Sequence, residues 1–211
     1  YSSVAHAGYM LAALAAIGSG LADPDTSALI VTAVVFHLAV LVLFKMGAFL
    51  VLSMLEAEGR GHRMEDLHGL GRRDPVIAAS MFVFMLSLAG VPPLSGFLSK
   101  LLMINGIVNV SAGTGSASAA TALSWAQDVD PVFWLAVAIV LNSALSLFYY
   151  LRIGLVMFFE SPDTEKPLKR ASSLRLAIIA CAALTLLFGI GPLSNSLLDM
   201  VGSAVDSFMG S

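Results

Sequence analysis

Cysteine is almost missing: Cys181, set in an apolar run, is the single one in 211 residues. One thiol excludes a disulfide framework, a CxxC redox pair and cysteine ligation of an iron–sulfur cluster. Charge is also scarce, at 12% of residues, and 11 basic against 14 acidic side chains leave a formal net charge of -3. Nothing in that balance forms the basic stripe that nucleic acid requires, so no nucleic-acid partner is expected. A Walker-type phosphate loop, a GxGxxG turn and a nucleophile motif are absent as well, which leaves no recognisable means of binding or oxidising a nucleotide. No cofactor or metal site is therefore expected in this chain, and any redox chemistry must belong to partners.

What the chain does have is apolar length. Hydrophobic residues make up 58% and the mean hydropathy is +0.89, which argues against disorder and against an ordinary soluble domain. The windows 1–22, 26–44, 75–99, 101–127, 131–151 and 176–198 carry no Asp, Glu, Lys or Arg, and each approaches or exceeds the roughly 20 residues that cross a bilayer. The expected fold class is all-α, a polytopic transmembrane helix bundle. It forms a single membrane domain over 1–211, with spans at about 1–21, 26–55, 75–91, 94–110, 132–159 and 176–192 and an apolar tail of undefined depth. Asp23-Pro24-Asp25 makes the first turn. A single helix from Pro75 to Val110 would be about 54 Å long, nearly twice the hydrocarbon thickness, so the chain must turn back near Val91-Pro92-Pro93. Residues 111–130, rich in Ser, Ala, Gly and Thr, read as a loop. The first residue is Tyr1, inside a hydrophobic segment without a basic flank, which reads as the start of a fragment rather than a signal peptide. Basic residues at 60–73 and 166–175 nearly cancel across the bilayer, so the positive-inside rule assigns no orientation.

Only Lys45 and Lys100 fall well inside predicted spans, with Arg152 near the end of a third. An ionisable group at membrane depth costs a few kcal/mol on insertion scales and typically faces a bundle interior or a water-filled path. Lys100 lies roughly 10 Å along a helix axis beyond Pro93, near mid-membrane. Ser95, Gly96 and Ser99 beside it are small or polar, suited to close backbone approach and to bonding freed carbonyls. A buried amine can release and regain a proton near neutral pH, as a carrier must; the plainer alternative is a lysine that snorkels to the headgroups. Lys45 follows His37 by about 12 Å and 80° around the axis. Both can line one broad side, but Leu41 intervenes, so a relay there needs ordered water. His37 suits proton transfer, and hydrogen bonding to a neighbouring helix explains it equally. His6 lies about a turn from Ser2 and Ser3, whose hydroxyls can fix its tautomer, although interhelical packing is the plainer role. Arg152 after Tyr149-Tyr150 fits an interfacial anchor. His62 and His68 lack metal-ligand spacing and read as solvated, and the ten methionines read as packing.

YSSVAHAGYM at 1–10, KMGAFLVLSM at 45–54, SLAGVPPLSGFLSK at 87–100 and SLFYYLR at 146–152 together resemble the carboxy-terminal half of subunit N of complex I. That family is the antiporter-like membrane subunits of proton-pumping NADH:quinone oxidoreductase, related to multi-subunit cation/proton antiporters. The resemblance implies the second inverted repeat of an antiporter-like subunit plus its last helix, with one discontinuous helix, and a missing amino-terminal repeat upstream. It implies a translocase subunit of the cell membrane, carrying protons while NADH or another donor reduces quinone in other subunits. NAD, FMN, iron–sulfur clusters and quinone would then sit in partner subunits, and M-type and small membrane subunits would be neighbours alongside the lipid bilayer. Lys100 matches the family's lysine on the discontinuous helix. His37 and Lys45 resemble the polar positions of the hydrophilic axis, and His6, Ser2, Ser3 and Ser99 are further candidates for the proton path. Some relatives read His-x-x-x-His-x-x-x-Lys where this chain has Leu41 in the middle. The rival classes are a subunit of a stand-alone cation/proton antiporter and a purely structural membrane protein.

Overall fold

Asp23 and Pro24 show how a local signal separates the first two helices. Proline at a first helical position has no N–H to lose and a φ already helical. The Asp23 carboxylate accepts from the Thr26 N–H and hydroxyl, both at 2.8 Å. Helix α2 (Pro24–Glu56) begins there, after α1 (Ser2–Gly18). The computed structural model describes residues 2–59, 63–113, 130–161, 168, 172–189 and 192–210. Among these, the remaining regular elements are a 3-10 turn at Met64–Leu67, α3 (Leu70–Arg73), α4 (Pro75–Ala89), α5 (Ser95–Gly113), α6 (Phe133–Phe159), α7 (Ser172–Leu187) and α8 (Pro192–Met209). The chain is an all-α bundle. Helices α2 and α6 are each long and apolar enough to cross a bilayer, and α1, α4 and α7 are shorter apolar helices.

Helices α4 and α5 form one discontinuous helix. Asp74 caps α4, accepting from Ile77 N–H, with Pro75 in the first turn. The helix stops at Gly90, whose φ of 82° is left-handed and natural for glycine. Its N–H reaches the Leu86 and Ser87 carbonyls while Val91 N–H returns to Leu86, so the terminal carbonyls are satisfied as in a Schellman end. The Pro92–Pro93 peptide is cis. Past the break, Gly96 N–H donates to Ser87 Oγ at 3.1 Å, and a Cβ on Gly96 would collide with the Ser87 carbonyl. Glycine is what lets the two halves approach this closely.

The helices pack as two compact units: Tyr1–Leu38, Ser99–Ser143 and Asn195–Ser211, and Ala39–Leu98 with Ala144–Ser194. The first has a core of Tyr9, Ala13 and Ala16 from α1, Ile30 and Ala33 from α2, Met103, Ile107 and Val110 from α5, and Ala136 and Ile139 from α6. Steps of three and four residues put each set on one face of its helix. In this unit α5 runs antiparallel to α2, with Ser99 at His37 and Gly106 at Ile30. In the second unit α4 runs antiparallel to its own stretch of α2. Phe84 lies at Gly47 and, just before α4, Arg73 pairs with Glu58 at 2.6 Å.

Three expectations shift. The chain is interrupted at Val91-Pro92-Pro93 without turning back, since α4 and α5 each run antiparallel to α2. Helix α5 runs to Gly113, past the predicted start of a loop at 111, and the Ser111 hydroxyl returns to the Val108 carbonyl at 2.8 Å; residues 114–129 lie outside the described residues. The apolar tail is helix α8, with Val201 and Val205 buried and Met200 and Phe208 exposed.

Replacing Gly96 by alanine is expected to destabilise the protein by about 1–3 kcal/mol through overpacking against a backbone carbonyl, read as a lowered unfolding midpoint in detergent. The Thr26 hydrogen bonds hold the Asp23 carboxyl below its usual range. A depressed folded-state value means that the cap contributes fully above the usual carboxylate pKa and is lost as pH falls through the lowered one. Hydrogen exchange at the Thr26 and Ser27 amides, corrected for intrinsic rate, should therefore rise at acid pH, and Asp23→Asn should flatten that rise.

Candidate functional site

The first unit gathers its polar side chains into one place. Each comes from an otherwise apolar helix, and each is positioned by helical spacing. His6 and Tyr9 lie three residues apart on α1 and present the same face. His37 comes from α2, the consecutive Ser99 and Lys100 from α5, and Asn142 with Ser143 from α6. His6 and His37 are fully enclosed, and Lys100 is only 4% exposed.

The contacts run from helix to helix. His6 Nδ1 lies 3.1 Å from His37 Nε2, and His37 Nδ1 lies 2.8 Å from Ser99 Oγ. The two imidazoles stack with centroids 5.2 Å apart, and the Tyr9 ring stands edge-on to His6 at 5.4 Å. Lys100 Nζ sits 5.3 Å from the centre of that same Tyr9 ring and donates to Ser143 Oγ at 2.8 Å. Asn142 Nδ2 donates to the Tyr9 hydroxyl at 3.0 Å. Consecutive residues on a helix point about 100° apart, which is why Ser99 meets the histidine of α2 while Lys100 meets α1 and α6.

This arrangement has a definite proton chemistry. The contact between His6 and His37 holds one hydrogen, and so does that between His37 and Ser99. In one state His6 Nδ1–H donates to His37 Nε2 and His37 Nδ1–H donates to Ser99. In the other, the Ser99 hydroxyl donates to His37 Nδ1 and His37 Nε2–H donates to His6. Passing from the first state to the second takes one proton entering at His6 Nε2, two transfers along the chain, and the departure of one proton from Ser99 Oγ, with no heavy atom moved. Because doubly protonating both rings would set N–H against N–H, the pair accommodates one extra proton, not two.

Of the residues singled out from sequence, His6, His37, Ser99 and Lys100 come together here. Ser2 is half-buried and Ser3 exposed on α1. Lys45 belongs to the second unit, where it is half-buried, and Leu41 is buried there. Arg152 is exposed beside the exposed Tyr149. His68 is half-buried, and His62, Lys166, Lys169 and Arg170 lie outside the described residues. Sequence reasoning missed Tyr9, Asn142 and Ser143. The signals were available: a tyrosine one turn from a buried histidine, and an Asn-Ser pair inside the charge-free window 131–151. Among the described residues, no group of three or more His, Cys, Asp or Glu side chains could hold a metal ion.

The sequence family described as NADH:quinone oxidoreductase/Mrp antiporter, transmembrane, matches residues 1–125, which include His6, Tyr9, His37, Ser99 and Lys100. The chain belongs to this family. Subunit N 1 of the NADH-quinone oxidoreductase of Sorangium cellulosum is 33% identical over 199 residues, covering 92% of this chain and 34% of that protein. The corresponding subunit N 1 of Solibacter usitatus is 36% identical over 197 residues, covering 91% of this chain and again 34% of the relative. The chain thus spans about a third of the length of the curated relatives it matches. Among solved structures, respiratory complex I from Thermus thermophilus with bound aureothin aligns over 94% of this chain and 44% of that one, with a TM-score of 0.58 and 25% identity. The Mrp complex from a Dietzia species aligns over 98% and 47%, with a TM-score of 0.65 and 20% identity, a likeness of fold. This family member is a multi-pass membrane protein of the antiporter-like type.

An interhelical hydrogen bond in a membrane protein contributes about 0.6 kcal/mol on average and at most about 1.7. His37→Leu should therefore lower unfolding free energy by roughly 1–2 kcal/mol and leave the bundle folded. A collapse of the fold in that variant, seen by circular dichroism in detergent, would mark the histidine pair as structural glue.

Proposed function

We propose that this chain is a proton-translocating membrane-arm subunit of a respiratory NADH:quinone oxidoreductase-type complex, moving protons through buried Lys and His residues. The observation that carries the reading is the enclosed cluster of His6, His37 and Ser99, continued at the next residue by Lys100 on Ser143 and Tyr9. The histidine pair and the serine provide a two-state proton wire, and Lys100 is the one full cation in the cluster whose proton can be lent and recovered. Ser2 and Ser3, on the first turn of α1, are the entry side of that path, and Lys45 serves a separate stretch of the hydrophilic axis. Helices α4 and α5 are read as one interrupted crossing in place of the separate spans 75–91 and 94–110, which puts the break and Lys100 inside the membrane. The remaining spans follow α1, α2, α6 and α7.

Each charge moved against 100 mV requires about 2.3 kcal/mol. That energy comes from electron transfer between NADH, or another donor, and quinone in partner subunits, which hold the NAD, FMN, iron–sulfur clusters and quinone. The chain itself contributes no redox step. M-type and small membrane subunits are the expected neighbours, and the cell membrane the expected location. The alternative is a subunit of a stand-alone cation/proton antiporter, a reading favoured by the fold likeness to the Mrp complex. Co-purification with quinone-reductase subunits separates the two.

Lys100→Ala in the intact complex is expected to lower proton pumping and quinone-linked turnover together, by about tenfold or more if the lysine is an obligatory carrier, the scale of a 1.4 kcal/mol barrier increase. Assembly on native gels should be unchanged. Normal pumping in that variant would overturn the assignment.

A further inference from the structure

A second built feature lies in the other unit and uses no residue of the polar cluster. Helices α4 and α7 run parallel there: Arg175 pairs with Asp74 at their starts, and Val83 and Leu186 line the same cavity further along. That cavity, about 450 Å³, has Pro75, Val76, Ala79, Ala183 and Leu186 in its walls. It shares Ile179 with a neighbouring cavity of about 380 Å³ lined also by Ser172, Arg175 and Leu176. Both volumes fall in the range of small-molecule sites. Together they make one groove with a polar mouth and an apolar floor.

The mouth presents a cation. In the Arg175–Asp74 pair the carboxylate side chain is 7% exposed and the guanidinium 34%, so the face turned outward is the cation, with further N–H donors beyond the one given to Asp74. The floor has a telling length. From Arg175 to Leu186 a helix rises about 16 Å, half of the roughly 30 Å hydrocarbon core and so the depth of one leaflet. A transmembrane helix of a partner would need a groove through both leaflets. The exposed small side chains Ala79 and Ala183 leave room along the floor for a chain one methylene wide.

We propose that this groove binds a phospholipid with an anionic headgroup, its phosphate on Arg175 and Ser172 and one acyl chain along Ala79, Ala183 and Leu186. The site is independent of the proton path. The protein in phosphatidylcholine nanodiscs, with trace spin-labelled phosphatidylglycerol or spin-labelled phosphatidylcholine, provides the test by electron paramagnetic resonance. Phosphatidylglycerol should be immobilised with about fivefold preference, the effect of one basic residue beside an anionic lipid. Arg175→Gln should abolish the preference, and Ala183→Phe, which fills the floor without touching the ion pair, should reduce the immobilised fraction of both lipids. If Arg175→Gln fails to fold, Ala183→Phe carries the test alone. Equal immobilisation of the two lipids by the unmodified protein, or an unchanged immobilised fraction in Ala183→Phe, overturns the proposal. So does a photo-crosslinker at position 183 that yields a protein adduct in native membranes in place of a lipid adduct.

Discussion

A polar group inside a bilayer has no water to turn to, so it must find its partner within the protein. That constraint organises the first unit. His6, His37, Ser99, Lys100, Ser143 and Asn142 come from four apolar helices, and the hydrogen bonds described above each join two of those helices. Among the described residues, no buried side-chain nitrogen or oxygen is left without a partner. Because the individual bonds are worth little in a membrane, a cluster this complete is an inefficient way to hold helices together. The proposed proton path gives such a cluster a second use, keeping exchangeable protons in line.

The same constraint explains how the discontinuous helix is tolerated. Breaking α4 from α5 frees backbone groups at depth, and the chain answers locally. Gly90 closes the end of α4, and the Ser87 hydroxyl takes the Gly96 N–H. The break therefore leaves its backbone satisfied and places a serine and a lysine side by side a short way beyond it. In the second unit, charge is handled differently. Arg73 with Glu58 and Arg175 with Asp74 pair at the ends of helices, and because Arg73 and Asp74 are buried each charge is met by a partner side chain.

Much of this was legible in the residues. The charge-free windows announced an all-α membrane bundle, Asp23-Pro24 and the glycine-proline run at 90–93 marked helix ends, and Lys100 and His37 stood out as polar groups at depth. Those signals are local, set by backbone chemistry or by the cost of a charge in hydrocarbon, and they survive without knowledge of neighbours. The helix at 192–209 carries a helical period too, with Leu197, Val201, Val205 and Phe208 at steps of four and three, and reading it as an apolar tail overlooked that spacing.

The sequence by itself determined the solvent this protein lives in, the places where its helices begin and break, and the family to which it belongs. Only the tertiary structure decided which polar residues meet. His6 and His37 are 31 positions apart, and Lys100 and Ser143 are 43 apart; no spacing rule links such positions. Tyr9 is the clearest case: an unremarkable aromatic in the sequence, it stands between His6 and Lys100 once α1 packs against α5. Periodicity says which face of a helix is buried, but the partner across that face is fixed by packing alone.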